Sequence, residues 1–485
     1  MKRKAIFQYL LSLSLLFLIP LTSQAYQIDI NRLKWVDTIY KPIIPVIHNI
    51  TRLKCKEVKG RWYNTSAFDI KDDNSYEYTK AFRNIIWLNA DYTSNINGTS
   101  TSNIIFLRAS GRFNRIDEFN SDNHQRSINL EIWDSYISLT EPNWDILIGK
   151  KIVRWGKTDQ ISPVDNVNPQ DFRSFVLLKR EDRKEPVFMI RTRLFLGANT
   201  LEFILDPQAR HNRLYYFDSD WAVFDHIKEE YKNLPYIGQV IENLHIKKPS
   251  NGPALKNSEV GIRLSGDLSN FDYGISILWA HNRSLYPYIK SFPIKGIYVD
   301  NLDNITFNPY TNKVVGNDIV IEYPRDTIFG LSLETTAGPY GIRGEWAWHT
   351  HYVLMQKDLT SVKKHCLVYV LGIDRTWNNN IYTNLEFIQQ WIPHWDNNIL
   401  FERRLDSGIL FRISDTFLRD TFKIKLQGSY SFTTRDYYLN PEFSYKPEDN
   451  LRLFTGLHII GGPVDTLFHQ YDKNDEIYIG FEAFF

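Results

Sequence analysis

The last ten residues constrain this chain most. In the run from Glu476 to Phe485, Ile477, Ile479, Phe481, Ala483 and Phe485 fall on one face, and Glu476, Tyr478, Gly480 and Glu482 on the other. A period of two marks a strand. The apolar face runs to the terminal phenylalanine with no polar tail to solvate it. A strand with lipid on one side and a polar lumen on the other has this pattern. It reads as the closing strand of a transmembrane barrel.

The other end agrees. Lys2, Arg3 and Lys4 precede an apolar run from Ala5 to Leu21, followed by Thr22-Ser23-Gln24-Ala25. A charged start, an apolar stretch and a small-residue site make a secretory signal peptide, residues 1–25. An uncleaved anchor helix is the alternative. No cysteine follows the run to carry a lipid. Beyond it no stretch approaches the ~18 apolar residues of a spanning helix, yet the chain holds 28 Tyr, 30 Phe and 13 Trp. An exported, aromatic-rich chain without spanning helices fits a barrel with interfacial aromatic girdles. Removing the three leading cations from 57 Lys and Arg leaves 54 against 56 Asp and Glu. That balance excludes nucleic acid as a partner.

Residues 26–60 do not alternate. Ile30, Leu33, Val36, Ile39 and Tyr40 lie at helical spacing until Pro42 and Pro45, which predicts a periplasmic N-terminal segment or one tucked into the barrel. From residue 61 to 485 the chain reads as strands: 61–70, 80–93, 102–116, 127–140, 143–155, 186–197, 199–207, 258–268, 270–282, 326–337, 340–352, 365–376, 380–392, 405–414, 420–433, 436–446, 450–460 and 475–485. The fold class is all-β, an antiparallel up-and-down transmembrane barrel of about 18 strands, with 16 the alternative count. Short connections (141–143, 197–199, 268–270, 338–339, 378–380, 447–450) take turns with long ones (156–185, 208–257, 283–325, 353–364, 393–404, 461–474), as periplasmic turns and outer loops do. The tight outer turn at 434–436 is the exception. Both barrel ends then lie in the periplasm, and the location is the outer membrane of a diderm bacterium. Cys55 and Cys366 either pair or stay free.

Residues 131–186 carry a further pattern: Glu131-Ile132-Trp133-Asp134-Ser135-Tyr136, then Ile148-Gly149-Lys150-Lys151, then Trp155-Gly156, Asp159, and Asp165-Asn166-Val167-Asn168-Pro169-Gln170-Asp171. This resembles a family of Gram-negative outer-membrane barrels catalogued as a domain of unknown function and labelled porin-like or alginate-export-like. Lys150-Lys151 stands where that family has Arg-Gln. Leu371-Gly372-Ile373-Asp374 and Pro447-Glu448-Asp449-Asn450 are similar too. The resemblance implies the barrel and its location and leaves the cargo open.

Loop 156–185 is the candidate functional element. Asn168 caps a helix that starts at Pro169, with Asp171 in its first turn and Phe172, Phe175, Val176 and Lys179 at helical spacing. Folded inward, Asp159, Asp165, Asn168, Asp171, Arg173, Lys179 and Arg180 would form a constriction; packed on the rim, they would not. Trp155 is a girdle residue on one reading and part of the constriction on the other. Loop 208–257 predicts two amphipathic helices, through Trp221, Phe224, Ile227 and Tyr231 and through Ile237, Val240, Ile241 and Leu244, as an apolar lid or a stiffener of the mouth. Alternation points Arg191, Arg193, Arg263, Asp267, Glu334, Arg343, Glu345, Glu386, Lys423, Lys425, Glu442, Arg452, Glu476 and Glu482 into the lumen. With both signs present, ion preference stays open.

His349, Ser332 and Glu345 could meet as a catalytic set. No nucleophile elbow, zinc-protease motif, phosphate loop or Cys/His ligand spacing accompanies them. No catalytic, cofactor or metal site is expected. The function expected is passive solute conduction. The alternatives are transport of lipid or other apolar cargo with a periplasmic partner, and a plugged binding barrel. Expected partners are outer-membrane lipid and, through the C-terminal strand, the barrel-assembly machinery.

Overall fold

The computed structural model describes residues 57–70, 82–97, 104–119, 124–225, 227–228, 238–249, 257–301, 304–307, 313–377 and 380–485. The expected signal peptide, residues 26–56 and Cys55 lie outside the described residues. Cys366 is a buried thiol.

Most of the described strands form one closed sheet, in which every neighbouring pair is antiparallel. They are β1 (Glu57–Asp69), β2 (Phe82–Asn97), β3 (Ile104–Phe119), β4 (His124–Ile132 and Tyr136–Thr140), β5 (Trp144–Lys151) and β6 (Val187–Leu196). Next come β7 (Asn199–Asp206), β8 (Glu259–Leu268), β9 (Phe271–His281), β10 (Arg325–Ala337), β11 (Tyr340–Met355) and β12 (Ser361–Thr376). The last are β13 (Tyr382–Trp391), β14 (Leu405–Phe417), β15 (Phe422–Ser431), β16 (Tyr437–Glu448), β17 (Leu451–Gly461) and β18 (Glu476–Phe484). The sheet holds nineteen segments; the two halves of β4 make one stave, which gives eighteen. Closure runs through β1 and β18, with Arg61 opposite Phe484 and Asp69 opposite Glu476. A closed sheet leaves no edge to satisfy in lipid.

Each predicted strand holds an observed stave. β1 starts at Glu57, inside the segment expected to be non-strand, because Glu57–Gly60 already pair with β2, opposite Thr93 to Ala90, before the register with β18 begins at Arg61. The span 127–140 is interrupted: Trp133–Ser135 bulge out of the ladder, Ser135 Oγ donates to Ser110 O at 2.9 Å, and Asp134 takes the Ile152 amide at 3.1 Å. Gly149 lies opposite with φ +140°, where a Cβ would sit 2.5 Å from Ser135 O, so only glycine fits the approach. The expected loop 353–364 is mostly hairpin, since β11 and β12 pair up to Met355 and Ser361 past a bulge. Together with the gap between Phe119 and His124, that adds two short outer connections to the turn at 434–436.

Alternation sets the faces. On β18, Ile477 and Ile479 are exposed while Glu476, Tyr478 and Glu482 are buried. Leu130, Ile275, Ile277, Phe329, Ile373, Ile413 and Ile424 continue the exposed apolar band. Above the staves the long loops share a core of Phe224, Ile241, Tyr286, Ile289, Phe292, Val299, Ile319, Ile321, Leu359 and Phe401. A small sheet of 245–247, 288–291 and 318–322 supports it. In loop 208–257 the described residues hold a short helix at Gly238–Glu242, and Asp225, Ile227 and Lys228 are helical where the first of the two was expected. Tyr231 and Ile237 lie outside the described residues. Trp221, Phe224 and Ile227 are buried in loop-to-loop packing, so their apolar spacing serves the mouth's own core.

Candidate functional site: the loop across the lumen

Loop 152–186 leaves the top of β5 and crosses the barrel interior. Its neck is clamped by two side chains. Asn168 Oδ1 accepts the Val153 amide at 2.8 Å, and its Nδ2 donates to Lys151 O and Glu185 O at 2.9 and 2.8 Å. Asp165 accepts the Trp155 amide at 3.1 Å and pairs with Lys184 at 2.6 Å, both side chains under 5% exposed. Burial alone would raise the Asp165 carboxyl; Lys184, Arg180 and the Trp155 amide outweigh it and hold the group below its usual range.

The predicted helix from Pro169 is absent. Residues 173–176 form a turn, and the one helical turn is Arg180–Arg183. Asn168 is committed to the neck rather than to a cap. Asp171 holds Arg173, whose Nη1 donates to Ser127 at 3.1 Å.

From the neck a first lobe reaches the far wall. Five consecutive amides end on two buried wall carboxylates. Glu345 on β11 accepts Lys157 N and Thr158 N at 2.5 and 2.7 Å, and Ser162 Oγ at 2.5 Å. Glu386 on β13 accepts Asp159 N, Gln160 N and Ile161 N at 2.7, 3.1 and 3.3 Å. A run of amides aimed at one point is an anion nest, and here the wall supplies the anions. Around it Lys157 Nζ bonds Glu334 and Asp272, and Asp159 accepts from Arg343, Tyr382 and Asn384. Arg343 also pairs with Glu334 and Asp374.

A second lobe returns to the near wall. Arg61 on β1 forks onto Asp182 at 2.5 and 3.2 Å and onto Glu482 at 2.6 Å. Glu185 meets Arg213 at 2.7 Å, and Arg213 also holds Glu131 on β4. Burial, with Asp171 and Glu131 adding to it against Arg213 and Arg173, pushes Glu185 up to about 7. Phe175 and Leu177 pack on Trp221, Ile460 and Tyr471 of the mouth.

The predicted constriction residues Asp159, Asp165, Asn168, Asp171, Arg173, Lys179 and Arg180 all lie in this loop. Trp155 does too, which corrects its girdle reading: it is 1% exposed, donates Nε1 to Glu202 at 2.6 Å and fits against Gly261 of β8. Arg180 donates to Thr158 O at 3.1 Å and links the two lobes. Lys179 and Glu181 form the exposed edge of the second lobe.

The predicted lumen residues divide. Glu345, Glu386, Glu334 and Arg343 anchor the loop. Arg191 and Arg193 pair with Asp145 on β5, and Arg263 lies along Gly274. Glu476 faces His458 at 3.9 Å. Asp267 is exposed near the short-turn end. On the wall facing Lys179, Lys425 and Arg452 share Glu442, and Arg452 also holds Glu482. Lys423 is exposed beside them, within electrostatic reach of Arg412 and Lys179.

The catalytic set is not assembled. His349 Nδ1 is bound to Asp326 at 2.7 Å, Glu345 holds the loop, and Ser332 Oγ reaches only Gly274 O at 3.4 Å. Sequence reasoning missed Arg61, Lys157, Asp182, Lys184, Glu185 and Glu202, whose partners are remote in the chain. The one available signal was Trp155-Gly156 followed by Asp165 and Asn168, which it read as a cap.

No family model matches the chain, and no curated protein sequence matches it. Among solved structures it is similar to OmpF of Salmonella typhi in complex with daunomycin, at 8% identity over 88% of this chain and 97% of that one, TM-score 0.43. It is similar to OccAB3 of Acinetobacter baumannii, at 10% identity over 88% and 98%, TM-score 0.44. It is also similar to OccK7 of Pseudomonas aeruginosa, at 9% identity over 88% and 97%, TM-score 0.45. At these TM-scores the likenesses add nothing to what the strand registers establish.

Proposed function

We propose that this chain is an outer-membrane channel that passes small polar solutes by diffusion, with loop 152–186 as its constriction. The observation that carries the reading is the suspension of five consecutive loop amides on Glu345 and Glu386. A loop held at a fixed place across a polar lumen sieves by size and charge without an energy source. The passage runs between the Lys179–Glu181 edge and the β14–β17 wall. Arg412, Lys423, Lys425 and Arg452 on that wall outnumber Glu442 and, on the adjoining β18, Glu482, so anions are favoured over cations.

The apolar-cargo reading loses support, because Trp221, Phe224, Ile227, Ile241 and Leu244 of loop 208–257 are buried in the mouth's own core. A reversal-potential measurement across a salt gradient tests the channel reading. Wild type is expected to prefer the anion, and Lys423→Glu with Lys179→Glu to reverse the preference. No steady conductance from protein shown folded by heat-modifiable gel mobility would overturn the channel.

A further inference from the structure

The outer wall carries an arrangement that the passage does not use. On β3 and β4 the lipid-facing residues form an apolar stripe, with Phe113 beside Leu130 and Ile128, Leu130 and Ile132 at 54%, 81% and 38% exposure. Directly above it the stripe stops at a charged trio. Asp117, 3% exposed, accepts Arg115 Nε at 2.5 Å and Arg126 Nε at 2.6 Å. The two arginine side chains are 37% and 47% exposed. Their Nη atoms have no partner among the described residues. Asp117 thus holds two part-exposed guanidinium groups by one nitrogen each, and the three side chains together carry one net positive charge.

Height identifies the surroundings. Tilted strands climb ~2.5 Å per residue, so β4 between Thr140 and Ile128 covers roughly the ~25 Å apolar band of such barrels. Arg126 and Arg115 lie at its upper rim, at headgroup depth. A planar fork of free guanidinium donors suits a phosphate, and the stripe beneath offers apolar surface to chains attached to that phosphate.

We infer that Arg115 and Arg126, held by Asp117, form a binding site for the phosphate of an outer-leaflet lipid, whose acyl chains lie along Phe113, Ile128, Leu130 and Ile132. The inference rests on the outer-membrane reading. An attraction of ~1 kcal/mol per cation near a membrane surface corresponds to about fivefold in affinity for each arginine removed.

Native mass spectrometry of the full mature chain in neutral detergent tests the site. The probes are lipid A with its phosphates, the same lipid dephosphorylated, and inorganic phosphate. Phosphorylated lipid A is expected to stay bound to wild type and to be weakened roughly twenty-five-fold in Arg115→Gln/Arg126→Gln, two fivefold steps. The dephosphorylated lipid should bind both proteins weakly, and millimolar inorganic phosphate should displace nothing. Arg126→Gln alone, at the more exposed position, keeps the Asp117–Arg115 pair and guards against misfolding; it should show one fivefold step. Equal retention by wild type and the double variant would overturn the site, and displacement by inorganic phosphate would make it an ion site rather than a lipid site. Cell fractionation separates the two failures: a chain outside the outer membrane contradicts the location, whereas the micelle result judges the site.

Discussion

Glu345→Ala should release the loop from its far wall. The carboxylate is fully buried and accepts two backbone amides and the Ser162 hydroxyl, while the Thr158 hydroxyl is shared between it and Ile161 O, which it keeps when the carboxylate is removed. Alanine leaves Lys157 N and Thr158 N without acceptors, at ~1–3 kcal/mol each, and removes the charge-assisted Ser162 bond, at ~1.5–3 kcal/mol. The sum of about 4–9 kcal/mol exceeds what one docked turn can hold, so residues 157–162 should detach while the barrel stays closed. Glu345→Gln keeps one acceptor oxygen and loses only the charge, about 3 kcal/mol over three bonds. Hydrogen exchange of the peptide spanning 157–161 reads this directly. A loss of 4 kcal/mol corresponds to roughly a thousandfold faster exchange in the alanine variant, with glutamine intermediate. Unchanged protection in a folded alanine variant would refute the account of the anchor.

Other outcomes follow from the same contacts. Arg61→Gln strips Asp182 of its guanidinium partner, and breaking such a pair costs ~3–5 kcal/mol; single-channel conductance should rise as the second lobe loosens. Gly261→Ala puts a Cβ 2.6 Å from the Trp155 ring, so the indole should lose Glu202 and open-channel noise should increase. Glu185 sits at about 7 against an ordinary value of 4.5. The docked loop therefore holds its proton more tightly than the undocked one, and its stability falls as pH rises from 4.5 to 7 and is flat on either side. The protection factor of the 180–186 peptide, its exchange divided into the intrinsic rate at each pH, should be higher at acid than at neutral pH, and Glu185→Gln should abolish that difference.

The barrel was legible because alternation is local. Ile477 and Ile479 against Glu476 and Glu482 declare their faces without a partner, and the same rule placed Arg343, Glu345 and Lys425 inward. The bulge at Trp133–Ser135 was not legible, since it depends on Gly149 of the next strand and on Ser110 across the ladder. The loop failed differently. Asn168 before Pro169 carries a good capping signal, yet tertiary bonds to Val153, Lys151 and Glu185 outbid the helix. Trp155 read as a girdle residue from its place at a strand end, and only Glu202 and Gly261 show that it points inward. Glu345 and Glu386 were placed correctly on the lumen wall, but that they grip backbone amides rather than line a pore depends on contacts far apart in sequence.

Single-channel conductance of the refolded chain from Tyr26, with and without residues 160–180, tests the central claim most directly. Steady openings that widen on deletion are the predicted result. Equal conductance from the two proteins, both shown folded by heat-modifiable mobility, would contradict a lumen narrowed by this loop.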